Sequence, residues 1–388
     1  MTLLLSDPRV AAVPVRDVAE PLVALGPGAT LEVDLGAVTA NVRAIKARTA
    51  GELMAVVKAD GFGHGQIDVA RAALAGGATR LGVTSIDEAR PLRAAGLTRR
   101  ILSWLNPLDA DFAAAVRLDI ELGVPSLDHL HRVARTAPGA RIHLHLDTGM
   151  SRDGAEPAQW DRLCRAAREA ERRDEVHVVG IMGHLPCADR PGHAANALGR
   201  DRFAWGLRAA RAAGLRPADH HLAATAATLS DPLSHHTMSR IGAGLVGIDE
   251  SGTVGLRPAL TLTAPLVTIR SVPAGTAVGY GHTWTAGRAT RLGLIPVGYA
   301  DGLPRLASGR AEVWVAGTRA PVAGRISMDM TVVDLGPGSP AAVGDPVTVF
   351  GPGDHGEPTT AQWAGWAGTV EHEIVTGLSA RLHRRSAS

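Results

Sequence analysis

From residue 31 to about 243, short apolar runs alternate with stretches in which apolar residues recur every three or four positions. "LEVDL" is followed by a helical pattern from Ala37 to about Arg48, and then come the runs "LMAVVKA", "RLGVTS", "RILSWL", "IELGVP", "RIHLHLDT", "VVGIMGH", "DHHLAA" and "TMSRIG". Between them lie helical spacers such as "PAQWDRLCRAAREAERR". Such alternation predicts parallel strands joined by crossover helices. Eight regular units favour closure into a (β/α)8 barrel over the competing open, doubly wound sheet. Beyond about residue 255 the texture changes to Val, Thr, Gly and Pro with frequent turns, as in "VTIRSVPAGTAVGYG", which predicts a C-terminal β-rich domain joined near "DESGTVGLRP". The expected division is an N-terminal extension over 1–28, a barrel over 29–254 and a β domain over 255–388.

Length fits this plan, since 388 residues suit a barrel plus a smaller partner. A formal charge of +2 with 20% charged residues and no basic block gives no footprint for nucleic acid. No apolar stretch approaches the ~18 residues a membrane span needs, and "MTLLLSDPRVAAVPVRD" lacks a basic segment before its apolar run. The expectation is a soluble, cytoplasmic protein acting on small molecules. Cys164 and Cys187 form no metal-ligand cluster and read as buried or incidental thiols.

The basic residues change the picture. Of 40, only Lys46 and Lys58 are lysine. A primary amine can form an imine, which a guanidinium cannot. Lys58 falls at the C-terminal end of the first barrel strand, the end where barrel active sites assemble. There, desolvation would lower its pKa and free the amine for imine chemistry; a plain ion pair with Asp60 is the alternative.

"VVKADGFGHG" resembles the pyridoxal-phosphate signature of alanine racemases. The resemblance continues in order over roughly residues 31 to 385 through "LEVDL", "HLDTGMSRDG", "GHLPCAD", "SRIGAGLVG", "VGYGHTW", "PVGYADGLPR", "GRISMDMTVVDLG" and "EHEIVTGLSARL". It implies a pyridoxal 5'-phosphate enzyme racemising a small amino acid, with Lys58 joined to the cofactor as an imine and serving as one of two acid/base groups. Tyr280 would be the second, on the opposite face. The chain has only two tyrosines, and both Tyr280 and Tyr299 fall in matched motifs. His184 corresponds to the histidine that contacts the tyrosine, and Arg240 to the arginine paired with the cofactor's pyridine nitrogen. An arginine there leaves the ring unprotonated and favours return of the proton to the α-carbon. Thr225, in place of the family serine, with Gly242 and Ala243 would hold the phosphate, and Tyr299 is carried over as a cofactor residue. Arg152 and the N–H of Met328 would anchor the substrate carboxylate, with Asp329 and His372 also facing substrate. The family's tyrosine and methionine segments reach into a partner's barrel, implying a head-to-tail homodimer.

Several positions depart from the pattern. Phe62 and His372 stand where tyrosines serve the phosphate and the entrance, and Ala224 replaces an asparagine. His145 replaces a lysine, often carbamylated, while Val246 and Ser327 replace a tyrosine and a cysteine. A wider, more polar entrance at His372 predicts acceptance of an amino acid other than, or besides, alanine, with serine the first to test. A related pyridoxal-phosphate enzyme of altered substrate and a non-catalytic pyridoxal-phosphate carrier are the neighbouring readings. A metal site is the reading from another class, because a strand's period of two puts His143, His145 and Asp147 on one face.

Overall fold

The computed structural model describes residues 28–387, so the expected N-terminal extension lies outside the described residues except for Gly28. After a first strand β1 (Thr30–Asp34), eight parallel strands follow: β2 (Glu52–Val56), β3 (Arg80–Val83), β4 (Ile101–Ser103), β5 (Ile120–Val124), β6 (Ala140–His145), β7 (Val176–Met182), β8 (Asp219–His221) and β9 (Met238–Ile241). Each corresponds to one of the eight apolar runs. They pair in sequence from β2 to β8, β9 returns to pair with β2, and backbone bonds from Thr237 to His220 (3.1 Å) and from Arg240 to Ala223 (3.0 Å) close the ring. The strands read as apolar runs because helices cover their outer face and side chains fill the interior. Trp160, Leu163, Cys164, Ala167 and Ala170 form the buried stripe of the helix Pro157–Arg172, at the three-and-four spacing of its sequence.

One interior layer is polar. At the N-terminal end of the barrel Arg80 forks onto Asp219 (2.6 and 2.9 Å) and also reaches Glu52 (2.5 Å). The fully buried Glu121 of β5 lies near Arg141 (3.3 Å) and Arg100 (3.5 Å). Buried charges survive when paired in this way.

The second domain is built on a six-stranded sheet of order β16-β15-β18-β10-β1-β19, formed by β10 (Leu260–Pro265), β15 (Glu312–Val315), β16 (Thr318–Pro321), β18 (Pro346–Phe350) and β19 (His383–Ala387) together with β1. A three-stranded sheet joins β11 (Thr268–Val272), β14 (Thr290–Ile295) and β17 (Thr331–Asp334), and a short hairpin joins β12 (Ala277–Val278) to β13 (Trp284–Thr285). The boundary expected at residue 29 is therefore crossed by the chain itself. β1 belongs to the first stretch in sequence, yet pairs antiparallel with β10 and parallel with β19. Its alternating burial, with Leu31 and Val33 inward, suits a sheet covered on one face and not a barrel stave. Two helices also interrupt the expected β domain, Thr360–Ala367 with a Thr359/Gln362 capping box and Glu371–Thr376. The latter packs on the barrel's first βα turn: a Cβ at Gly63 would lie 2.1 Å from the carbonyl oxygen of Val375.

Candidate active site

Lys58 leaves the C-terminal end of β2 and opens a tight turn. Ala59, Asp60, Gly61, Phe62 and Gly63 all have φ between 50° and 78°, one left-handed turn run through five residues. Left-handed backbone is unfavourable for residues with a Cβ, so the surroundings must impose it. The N–H of Ala59 donates to Glu88 (2.8 Å), Asp60 accepts from the N–H of Gln66 (2.9 Å), and Arg384 of β19 pairs with Asp60 (2.6 Å). The Asp60 partner is thus Arg384, and the lysine amine is left to the barrel mouth. Burial lowers the pKa of Lys58 below its ordinary value; the charge of Arg152 lowers it further, Glu88 opposes, and Arg240 adds to the fall.

Arg240, at the end of β9 and only 5% exposed, is the most tightly held group of the site. One terminal nitrogen donates to His221 Nδ1 (2.9 Å) and the His221 carbonyl (2.8 Å); the other donates to the Gly183 carbonyl (2.7 Å), with the Leu222 carbonyl and His184 Nδ1 each at 3.2 Å. Its Nε–H has no partner among the described residues. Burial brings its pKa down to about 10, which leaves it cationic at neutral pH. His184 is held uncharged, its pKa lowered to about 3 by burial and then by Arg240 and Arg152. Since its Nδ1 faces an arginine donor, Nε2 carries the proton.

The phosphate candidates also converge. The hydroxyl oxygen of Thr225 accepts from the N–H groups of Gly242 and Gly244, both at 3.2 Å, and its own O–H remains to donate. Gly242 admits no side chain, because a Cβ would lie 2.6 Å from the ring of Phe62. Ala243 opens the short turn that follows. His372, from the helix Glu371–Thr376, lies across Phe62 with ring centres 6.0 Å apart and pairs with Glu250 (3.3 Å).

Four expected residues are not brought to this mouth by their own chain's contacts. Tyr280 is 69% exposed in a tight turn beside Arg325, and Met328 is 53% exposed. Tyr299 lies beside Met328, the N–H groups of Tyr299 and Ala300 donating to the carbonyls of Ser327 and Met328 (2.9 Å each). Asp329 pairs with Arg381 (2.7 Å) within the second domain. Tyr280, Tyr299, Met328, Met330 and Leu306 are all exposed side chains of the second domain. Arg152 stands exposed on the loop after β6.

The residues of the metal reading separate. Asp147 accepts from the N–H groups of Gly149, Met150 and Ser151 (2.9 to 3.1 Å), His145 lies 3.4 Å from Asp153 without hydrogen-bond geometry, and His143 turns into the barrel axis toward His221 and Glu121. Sequence reasoning missed Glu121, His221 and Glu88. A glutamate inside the apolar run "IELGV" and the second histidine of "DHHLAA" were the available signals for the first two; Glu88, on a helix, gave none.

Comparison with known proteins agrees with this geometry. The family model described as "Alanine racemase, N-terminal domain" matches residues 33–250, and "Alanine racemase, C-terminal domain" matches 259–386. The chain is similar to the alanine racemase of Mycobacterium avium, 43% identical over 373 residues, covering 93% of this chain and 96% of that one. It is likewise similar to that of Frankia casuarinae, at 45% over 365 residues with 91% and 94% covered. Among solved structures it superposes on the alanine racemase of D-cycloserine-producing Streptomyces lavendulae with a TM-score of 0.91 at 42% identity, over 93% of this chain and 97% of that chain. The enzyme of Streptomyces coelicolor gives 0.90 at 43%, with 93% and 98% covered. With both domains matched in order over nearly the whole chain, this protein belongs to the alanine racemase family.

Proposed function

We propose that this protein is a pyridoxal 5'-phosphate-dependent racemase that interconverts L- and D-alanine, working in the cytoplasm as a homodimer whose two sites each draw on both chains. The supporting observation is Lys58: an amine of lowered pKa at a barrel mouth, with Arg152 and Arg240 acting on it. The residues present fit the cofactor. Lys58 supplies an amine for its aldehyde, the unpartnered Nε–H of Arg240 a donor for its ring nitrogen, and the Thr225 hydroxyl with the close backbone at Gly242 a seat for its phosphate. When bound, the cofactor supplies the electron sink for the pair left on the α-carbon when its proton departs.

Racemisation requires a proton taken from one face and returned to the other, hence two bases. Lys58 stands on one side. Tyr280 is exposed on the second domain, which supports a site completed by another copy: Tyr280 of the partner subunit would be the second base, and the exposed surface around Tyr299 and Met328 the docking face. A phenol is by itself a weak base at neutral pH and needs a group that stabilises its phenolate. The outward Nε2–H of the uncharged His184 offers the phenolate a hydrogen bond. Arg240, cationic at neutral pH, would face the ring nitrogen as a donor that keeps its own proton, an arrangement that would favour return of the proton to the α-carbon. Arg152 and the N–H of Met328 of the partner subunit orient the carboxylate. Among the described residues no helix is long and apolar enough to cross a membrane.

The test is the purified protein with added pyridoxal 5'-phosphate in deuterated buffer. Solvent deuterium should enter the α-position of both L- and D-alanine, with inversion followed by chiral chromatography. Cofactor binding without exchange from either enantiomer would reject the enzyme in favour of a carrier.

A further inference from the structure

A line of buried polar groups runs along the barrel axis from the arginine layer at its base to the site at its mouth. Glu121, His143 and His221 have no exposed surface. His143 Nε2 lies 3.0 Å from Glu121 Oε2, His143 Nδ1 2.9 Å from His221 Nε2, and His221 Nδ1 2.9 Å from Arg240. A bulge in the β6/β7 pairing just before His143, and Gly180 opposite, where a Cβ would lie 2.0 Å from His143 Nδ1, make room for the first ring.

Each link fixes the next. A carboxylate only accepts, so His143 carries its proton on Nε2 and offers a lone pair at Nδ1. His221 must then donate from Nε2, which leaves its Nδ1 as an acceptor facing Arg240. The reverse tautomer would set two N–H groups against each other in a dry interior, where an unpaired donor is strongly unfavourable.

We propose that Glu121 is a positioning residue: through His143 and His221 it fixes the guanidinium of Arg240 so that its Nε–H is the donor aimed at the cofactor's ring nitrogen. This rests on the reading of the site as a pyridoxal-phosphate site. The ionised state of Glu121 is secured locally. Burial would raise its pKa, but the hydrogen bond from His143 and the charges of Arg80 and Arg100 outweigh burial and hold it well below the usual carboxylate range. In Glu121→Gln the arginines would attract the amide oxygen, turning its NH2 toward His143 and reversing the whole line.

Two measurements test this. Nitrogen-15 NMR of labelled histidine in the full chain without cofactor should show His143 and His221 both protonated on Nε2 between pH 6 and 8, and Glu121→Gln should shift them toward Nδ1. In the cofactor-loaded enzyme, Glu121→Gln should lower kcat in both directions by roughly tenfold, the scale on which outer hydrogen-bond partners of a bound group act, with KM little changed. It should also release more pyruvate per racemisation event by abortive transamination, and Glu121→Asp should recover the lower ratio. Nδ1-protonated rings in the wild type overturn the proposal whether or not the variants fold. So does a Gln variant with reversed tautomers and an unchanged pyruvate ratio. If the wild type binds no cofactor, the functional reading fails while the tautomer measurement still reports on the relay.

Discussion

Lys58 and Lys46 are the chain's two candidate imine-forming side chains, and the structure separates them. Lys46 donates to the Gly51 carbonyl (2.6 Å) before β2 begins, at the barrel end opposite the site. Borohydride reduction of the cofactor-loaded protein should therefore label Lys58 alone, and Lys58→Ala should abolish both the label and the activity; a label on Lys46 would refute the assignment. His372 is a subtler case. Held by Glu250 and Phe62, its imidazole is a shorter side chain than the tyrosine of the family pattern. A hydroxyl's difference in fit is worth ~1 to 3 kcal/mol, so His372→Tyr should reduce kcat/KM for serine relative to alanine. An unchanged ratio would assign the position to phosphate binding alone. At this scale the sequence revealed the rare residue types: one amine at a strand end, and two tyrosines in motifs. Glu121 and His221 stayed hidden because their partners lie across the barrel on other strands. The strand period that suggested a metal face at His143 gave its direction correctly but not its companions.

The left-handed turn from Ala59 to Gly63 is the element on which the site depends, since it sets Lys58 at the mouth and Phe62 under His372. The glycines of "KADGFGHG" announced a turn, and at Gly63 two needs coincide, a φ of 78° and contact with the Val375 carbonyl. Gly63→Ala should destabilise the protein by about 2 to 4 kcal/mol, combining left-handed strain with overpacking. It should also loosen the docking of the helix Glu371–Thr376. Urea unfolding measures the first effect and amide exchange over that helix the second; a loss below about 0.5 kcal/mol, within the usual range for a neutral surface change, would show that the turn yields easily. Positive φ at Ala59, Asp60 and Phe62 was not legible, because the contacts that hold the turn come largely from remote segments, Glu88 and Arg384, beside the nearby Gln66. The eight barrel strands were legible because burial on both faces makes each a continuous apolar run. β1 was misplaced because its partners, β10 and β19, lie more than two hundred residues away.

At the scale of the whole molecule, buried imidazoles tie stability to pH. Burial lowers His64 to about 4 and His184 to about 3, against about 6.5 in an unfolded chain. Below pH 6.5 the unfolded state takes up these protons first, so stability falls as pH falls toward the folded values, by ~1.4 kcal/mol per pH unit for each such group. Above 6.5 these groups contribute no further change. Thermal unfolding should give a clearly lower Tm at pH 5 than at pH 7; equal values would mean that the rings are not held uncharged. The shared site has a sharper consequence. If each site combines Lys58 of one chain with Tyr280 of the partner subunit, Lys58→Ala and Tyr280→Ala are each inactive alone, yet complement when mixed after dissociation. Random reassociation makes half the dimers hybrid, and in a hybrid one site collects both defects while the other collects none. The mixture should recover about one quarter of wild-type activity, an outcome fixed by two-fold symmetry and not by the chemistry. A site completed within one chain would recover nothing, since every chain in the mixture lacks one of the two bases.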